Sequence, residues 1–122
     1  MQPTSPLRLK KDIFGAIKKF KKDNCDSLVS VSKSLEHPND TISIRNKQLV
    51  FFNKKKSTLR QSYNESYFIN GAIYILKKKN LDERKLISTN KTSIYIMPKD
   101  RSIDLDDVED LKILKKIIWV KI

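Results

Sequence analysis

The sequence predicts an α/β fold built as one modest domain. Three observations indicate this: an amphipathic helix pattern early in the chain, strand-type alternation directly after it, and a second helix pattern at the end. With 122 residues the chain is long enough for one domain with one core. A helix followed within a few residues by a strand is half of a β-α-β unit, and such units build α/β folds.

The first helix is predicted from the stretch LKKDIFGAIKKFKKDN. Ile13, Ile17 and Phe20 recur at i, i+4 and i+7, while lysines occupy the opposite face, and the helix is expected to end near Asn24. In the following stretch, DSLVSVSK, two valines alternate with two serines. This change of period from 3.6 to 2 predicts a strand.

The middle of the chain predicts a hairpin and a buried strand. TISIR and QLVFF are expected to pair as two short strands joined by Asn46-Lys47. The apolar QLVFF is a strand that something should cover, for example another subunit. The run NGAIYILKKKN then predicts a buried strand, and Asn70-Gly71 predicts a turn at its entry because Asn-Gly is a strong turn signal.

The last third continues the alternation of helices and strands. DERKLI is predicted as a short helix and SIYIMP as a strand. DDVEDLKILKKIIWV is predicted as the final helix, with acidic residues near its start and lysines toward its end, as the helix dipole favours.

Cysteine and histidine counts exclude several kinds of site. One cysteine, Cys25, allows no internal disulfide and fits a reducing cytoplasm, which is the localisation expected. With His37 as the sole histidine, the two cannot fill a zinc site. The longest apolar runs are too short to cross a bilayer and no signal-peptide pattern opens the chain, so no membrane partner is expected.

The formal net charge of +12 is compatible with an anionic partner such as nucleic acid. However, the lysines form small groups scattered along the chain and are not interleaved with aromatic residues, as a single-strand binding surface requires. The preferred interpretation is a solvated, lysine-covered surface.

The stretch RSIDLDD contains a candidate metal site. If it is extended, Asp104 and Asp106 share one face, with Cβ atoms about 7 Å apart, a span that one Mg²⁺ can bridge. The alternative is helix capping, in which Asp106 or Asp107 accepts hydrogen bonds from the last helix. Capping leaves Asp104 unexplained, and both interpretations stay open at this point.

Considered in order, the motifs resemble those of one family. These are QPTSPLR ahead of an amphipathic helix, DSLVSV, the triplet EHP, RQ ahead of NGAIYI, then YIMP and RSIDLDD. They resemble the acylneuraminate cytidylyltransferases, which activate sialic acid and related nine-carbon acidic sugars as CMP-sugars. The resemblance extends from Gln2 to about Leu111.

The resemblance implies a partial doubly wound, Rossmann-like nucleotidyltransferase fold in a single domain over residues 1–122. Residues of about 41–66 would form a dimerisation insertion. The implied reaction is attack of the sugar's anomeric hydroxyl on the α-phosphorus of CTP, with release of pyrophosphate and Mg²⁺ as cofactor. The site residues carried over are Asp104 and Asp106 for the metal, and Gln2, Arg60, Gln61, Asn70 and Tyr74 for the sugar acid.

The chain departs from the family where CTP binds. The family's signature, of the form PARGGSKGIPRKN, has no counterpart here, and the only glycines are Gly15 and Gly71. The first strand and the nucleotide-binding half are therefore expected to be missing, and the chain is expected to be inactive alone. The partners implied are CTP and a nonulosonic acid in the complete enzyme, with a homodimer or a complementary N-terminal fragment.

Other departures concern the sugar pocket. Ser43, with Arg45 nearby, replaces a lysine common after the HP motif, and Phe68 replaces an arginine before NG. Ile87 and Ser88 replace a phenylalanine pair. The acid can therefore be sialic or legionaminic-like. A non-catalytic sugar-binding or dimerisation module is the alternative function, and a basic nucleic-acid-binding protein is the third.

Overall fold

A computed structural model describes residues 3–52, 64–80 and 91–121. Their helices and strands follow the chain in this order: α1 (Lys10–Asp23), β1 (Ser27–Lys33), β2 (Ile42–Arg45), β3 (Gln48–Phe51), β4 (Tyr67–Leu76), β5 (Thr92–Ile96) and α2 (Val108–Lys121). The α/β class is confirmed. The helix predicted from DERKLI lies outside the described residues.

A three-stranded mixed sheet has the order β4-β1-β5. Strands β1 and β5 are parallel, with Ser27 opposite Thr92. Strand β4 runs antiparallel to β1, because the backbone of Lys77 bonds to Asp26 at the start of β1 while Ser34, just after β1, bonds to Ser66. In this central position both edges of β1 are paired, so its backbone N–H and C=O groups are satisfied by neighbouring strands.

Strand β1 is buried on both faces, whereas a half-buried strand exposes every second residue. Every residue from Ser27 to Ser32 is buried, so the serines that alternate with valines do not face solvent. The burial is tolerated because each serine hydroxyl bonds inside the protein. Ser32 Oγ donates to the carbonyl of Met97 at 3.1 Å, and the Ser27 hydroxyl lies 2.7 Å from that of Thr92.

Helix α1 packs on the sheet through a face slightly rotated from the predicted one. Ala16 is fully buried, and Ile13 and Phe20 contact the core, whereas Ile17 remains 38% exposed. The rotation has a physical reason: Asp12 is also buried, so the inward face is centred between Asp12 and Phe20. The core that this face covers consists of Ala16, Cys25, Leu28, Ala72, Ile73 and Met97.

The Asn70-Gly71 pair lies inside β4, so the predicted turn is wrong. Gly71 has φ of 70°, and the Asn70 side chain accepts a hydrogen bond from the backbone of Ala72. Both features are typical of a local irregularity within a strand, where glycine supplies a conformation that other residues adopt at a cost. The strand extends on both sides of the pair.

The chain divides into two compact units, of which residues 33–68 form the second. In that unit β2 and β3 pair as an antiparallel hairpin, as predicted. Asn46 and Lys47 both have positive φ, 51° and 61°, which matches the tight turn that a two-residue hairpin loop needs. The predicted insertion of about 41–66 falls within this unit.

Helix α2 buries little of its apolar surface. Leu114 is 6% exposed, whereas Ile113, Trp119 and Val120 are 50%, 77% and 87% exposed. No helix in the described part of the chain is long and apolar enough to span a bilayer.

Candidate functional site

Two of the sequence motifs meet beyond the carboxyl end of β5. The backbone N–H of Leu105 donates to the carbonyl of Thr4 at 2.9 Å, and Ser5 Oγ donates to Asp104 Oδ1 at 3.4 Å. Ser5 is fully buried at this junction. Residues 3–5 of this motif therefore lie against the RSIDLDD segment, although 99 positions separate Ser5 from Asp104.

The two predicted metal ligands differ in their surroundings. Asp104 is half-buried, and its Oδ1 accepts from Ser5 and, at 3.2 Å, from the backbone of Leu105. Asp106 is exposed, and its carboxylate has no hydrogen-bond partner among the described residues. Each aspartate thus keeps at least one carboxylate oxygen able to bind a ligand.

The neighbouring aspartate caps α2. Asp107 Oδ1 accepts from the backbone N–H groups of Glu109 and Asp110 at 2.8 and 2.9 Å. In return, Asp110 Oδ2 accepts from the backbone of Asp106 and Asp107. This reciprocal arrangement is a capping box, so capping is confirmed for Asp107 and does not use the Asp106 side chain.

Asp104 and Asp106 carry the type of donor that a hard cation takes. Carboxylate oxygens are the ligands that Mg²⁺ prefers, and Mg²⁺ is commonly held by one or two carboxylates while water and phosphate oxygens complete its shell. Within residues 3–52, 64–80 and 91–121 no group of three His, Cys, Asp or Glu side chains is placed to hold a metal. Asp104 and Asp106 as holders of Mg²⁺ stay a prediction, in which water and phosphate oxygens would complete the shell of the ion.

Asn70 connects the strands to this segment. It is 3% exposed, and its Oδ1 accepts from Ser30 Oγ at 2.5 Å and from the Ala72 backbone at 3.2 Å. Its Nδ2 donates to Ser102 Oγ at 2.9 Å, and that hydroxyl donates to the carbonyl of Pro98. The network holds the segment that carries Asp104 against β1 and β4.

The other predicted sugar-binding residues are less fully described. Tyr74 lies on β4 and is half-buried, and its hydroxyl makes no hydrogen bond to another described residue. Gln2, Arg60 and Gln61 lie outside the described residues. Their assignment to the sugar acid stays a prediction.

A buried ion pair anchors the same segment to α1. Arg101 donates to both carboxylate oxygens of Asp12, from Nε at 2.9 Å and from Nη2 at 2.8 Å, and the backbone of Leu9 donates to Asp12 Oδ2 at 2.9 Å. Burial by itself raises the pKa of Asp12, but these hydrogen bonds and the Arg101 charge outweigh it, so the pKa lies below its ordinary value. The pair ties the residues before RSIDLDD to the start of α1.

Sequence reasoning missed these supporting residues. Ser5 and Ser102 lie inside motifs identified from the sequence. The sequence does not show, however, that Ser5 contacts Asp104 or that Ser102 contacts Asn70. Asp12 offers a better signal, because it is the sole acidic residue among the first 22. A carboxylate that stands alone in such a lysine-rich stretch indicates a specific partner.

The EHP motif lies in the second unit. The backbone of Asn39 donates to His37 Nδ1 at 3.1 Å, and His37 Nε2 lies 3.1 Å from the carbonyl of Asn64. This unit contains a cavity of about 280 Å³, lined by residues 33–37, Asp40 and residues 64–66.

Comparison with curated proteins finds relatives that match most of this chain. Over 112 residues, 90% of the chain, it is 32% identical to an N-acylneuraminate cytidylyltransferase of Streptococcus agalactiae serotype III. Over 119 residues, 93% of the chain, it is 31% identical to one of Escherichia coli O18:K1:H7. The resemblance to the acylneuraminate cytidylyltransferases is confirmed.

The similarity concerns one part of these cytidylyltransferases. The chain spans 27% of the length of each of the two relatives. No protein-family model matches the chain.

Proposed function

We propose that the chain is the metal- and sugar-binding part of a nucleotidyltransferase of the acylneuraminate cytidylyltransferase type. Such an enzyme transfers CMP from CTP to a nonulosonic acid, sialic or legionaminic-like. The observation that carries the proposal is the 32% identity to a curated N-acylneuraminate cytidylyltransferase over 90% of the chain. The chain covers 27% of that relative, so a complementary part would supply the CTP cradle.

In the proposed reaction, the anomeric hydroxyl oxygen of the sugar forms a bond to the α-phosphorus of CTP. The bond from that phosphorus to the bridging oxygen breaks, pyrophosphate leaves with the electron pair, and the hydroxyl proton passes to solvent or a base. Bound Mg²⁺ would supply charge neutralisation on the phosphate oxygens. The chemistry therefore depends mainly on how precisely the anionic reactants are positioned.

The described residues support this positioning role. Asp104 and Asp106 would hold the ion, and the hydroxyl of Ser5 orients Asp104 through the bond to Oδ1. The Asn70 network holds the segment that carries both aspartates. Because Asn70 is buried and bonded on both sides of its amide, its side chain is held in one orientation.

The test is pyrophosphate release from CTP and either N-acetylneuraminic or legionaminic acid in the presence of Mg²⁺. We expect no release by the chain alone and release when it is mixed with the N-terminal part of a relative. Asp104→Asn should abolish release by the mixture. Asp107→Asn is the matched control, since it removes the same charge while asparagine still caps a helix.

Two results would contradict the proposal. One is release by the mixture that Asp104→Asn leaves unchanged. The other is a mixture that neither releases pyrophosphate nor binds a nonulosonic acid in calorimetry.

We also propose that the β2–β3 hairpin pairs two copies of the chain. Ile44 and Leu49 face each other across the hairpin and are 77% and 58% exposed, and Phe51 on the same face is 40% exposed. Exposed apolar strands of this kind favour association. The wild type should be a dimer in sedimentation velocity and the variant Ile44→Ser/Leu49→Ser a monomer, while the control Leu35→Ser, at a residue 84% exposed outside the hairpin, stays dimeric. A monomeric wild type would refute this role.

A further inference from the structure

A second cavity lies at the opposite end of the strands. Its volume is about 480 Å³, and residues 23–26, Lys79 and residues 91–93 line it. In this region β1 and β5 begin, with Ser27 opposite Thr92. The cavity is therefore separate from the Asp104 segment, which follows the carboxyl end of β5.

Three lysines surround one carboxylate here. Asp26 Oδ1 is 3.1 Å from Lys77 Nζ and 3.6 Å from Lys79 Nζ, while its Oδ2 is 3.8 Å from Lys91 Nζ. Asp26 is only 18% exposed. One carboxylate compensates one ammonium group, so the described residues of the cluster carry an excess of two positive charges.

The other acidic residue of the cavity already has partners. Asp23 Oδ2 lies 3.0 Å from Lys19 Nζ and accepts a hydrogen bond from Ser93 Oγ. Its charge is therefore balanced by a lysine that does not line the cavity. The excess positive charge of the Asp26 cluster remains.

The lysines nearest the solvent can turn toward a ligand. Lys79 and Lys91 are 67% and 71% exposed, and each lies beyond 3.5 Å from Asp26, so neither makes a short hydrogen bond to that carboxylate. Lys77 is 34% exposed and makes the 3.1 Å contact, so it remains the main partner of the carboxylate. Lys79 and Lys91 approach different oxygens of Asp26 and thus flank it from two sides.

We propose that this cavity binds a small polyanion of the phosphate class through Lys79 and Lys91. Inorganic pyrophosphate fits this chemistry, because it carries several charges, its oxygens accept hydrogen bonds from ammonium groups, and it is small relative to about 480 Å³. The site is independent of the proposed transfer reaction and uses none of its residues.

The test is titration of the folded chain with inorganic pyrophosphate, followed by calorimetry and by amide NMR shifts. We expect the shifts to centre on Asn24, Thr92 and Ser93, and the affinity to fall as NaCl is raised, because both charges are near the surface. Lys79→Gln/Lys91→Gln should weaken binding about tenfold or more.

Two further variants separate this site from general attraction to a basic protein. Lys112→Gln/Lys115→Gln removes the same charge from exposed positions of α2 that do not line the cavity, and should leave the affinity within about twofold. Asp26→Asn removes the competing carboxylate and should tighten binding about threefold or more. CMP and CTP, titrated separately, show whether a nucleoside adds to the affinity of the phosphates alone.

The inference is overturned if pyrophosphate shifts no amide of the cavity. It is also overturned if the two double variants weaken binding equally, since the net charge of +12 would then suffice to explain binding. Weaker binding by Asp26→Asn would equally refute it, because the carboxylate would then be part of the ligand site and not a competitor.

Discussion

Replacing Asp12 by asparagine should remove a large part of the protein's stability. Asp12 is 1% exposed and accepts two hydrogen bonds from the Arg101 guanidinium and one from the Leu9 backbone. Asparagine nearly preserves the volume and keeps one carbonyl acceptor. However, it presents an NH₂ group where the second carboxylate oxygen stood, and it leaves the Arg101 charge uncompensated on that side.

The magnitude follows from the contacts. Breaking a buried ion pair by changing one partner costs about 3–5 kcal/mol. One acceptor remains in the Asp12→Asn variant, so we expect about 3 kcal/mol. With a urea dependence of about 1.5 kcal/mol per molar, the unfolding midpoint should fall by about 2 M.

Asp100→Asn is the matched control, because it makes the same chemical change beside the same arginine. Asp100 lies 3.9 Å from Arg101 Nη1 and its side chain is 53% exposed. An exposed pair of this kind contributes less than about 1 kcal/mol. A midpoint shift below about 0.5 M for Asp12→Asn, or equal shifts for the two variants, would refute the reasoning.

The same pair predicts how stability depends on pH. The pKa of Asp12 is lowered in the folded state, because the Arg101 and Leu9 hydrogen bonds and the Arg101 charge outweigh the opposing effect of burial. A lowered folded-state pKa stabilises the protein above the unfolded pKa of about 3.9, and the contribution is lost as pH falls through the folded value. The difference between wild type and Asp12→Asn should be constant from about pH 5 to 8 and shrink below about pH 4.

Three further substitutions test single contacts. Asp107→Ala should destabilise α2 by about 1 kcal/mol in urea unfolding because its cap is lost, whereas Asp106→Ala should change little. Gly15→Ala should destabilise the wild type, because a Cβ there would lie 2.6 Å from Tyr95 Oη, and should stabilise a Tyr95→Leu background, where helix propensity prevails. Lys47→Gly should strengthen the β2–β3 hairpin, seen as larger Hα shifts, because Lys47 has φ of 61°; unchanged shifts would contradict this.

Local patterns predicted most elements of the fold. The change of period after Asn24 marks the end of α1 and the start of β1. The hairpin around Asn46-Lys47 and the final helix also form where the patterns place them. These elements depend mainly on neighbours a few residues away, which the sequence displays directly.

The errors concern burial, which depends on distant partners. The alternation of valine and serine predicts strand β1 but not that Ser30 and Ser32 are fully buried, where their hydroxyls bond to Asn70 and Met97. Asn70-Gly71 looks like a turn, but the Asn70 side chain bonds to Ser30 and Ser102, and the strand continues through it.

By itself the sequence determined the order of helices and strands, the exclusion of a disulfide, and the resemblance that selects Asp104 and Asp106. Only the tertiary structure shows which polar groups support this segment. Ser5 bonds to Asp104, and Arg101, just before the segment, bonds to Asp12 of α1. The tertiary structure also brought the three lysines of the Asp26 cavity together from separate segments. The physical reason is that element type follows from local periodicity, whereas hydrogen bonds and ion pairs between distant residues exist only once the sheet has set their distances.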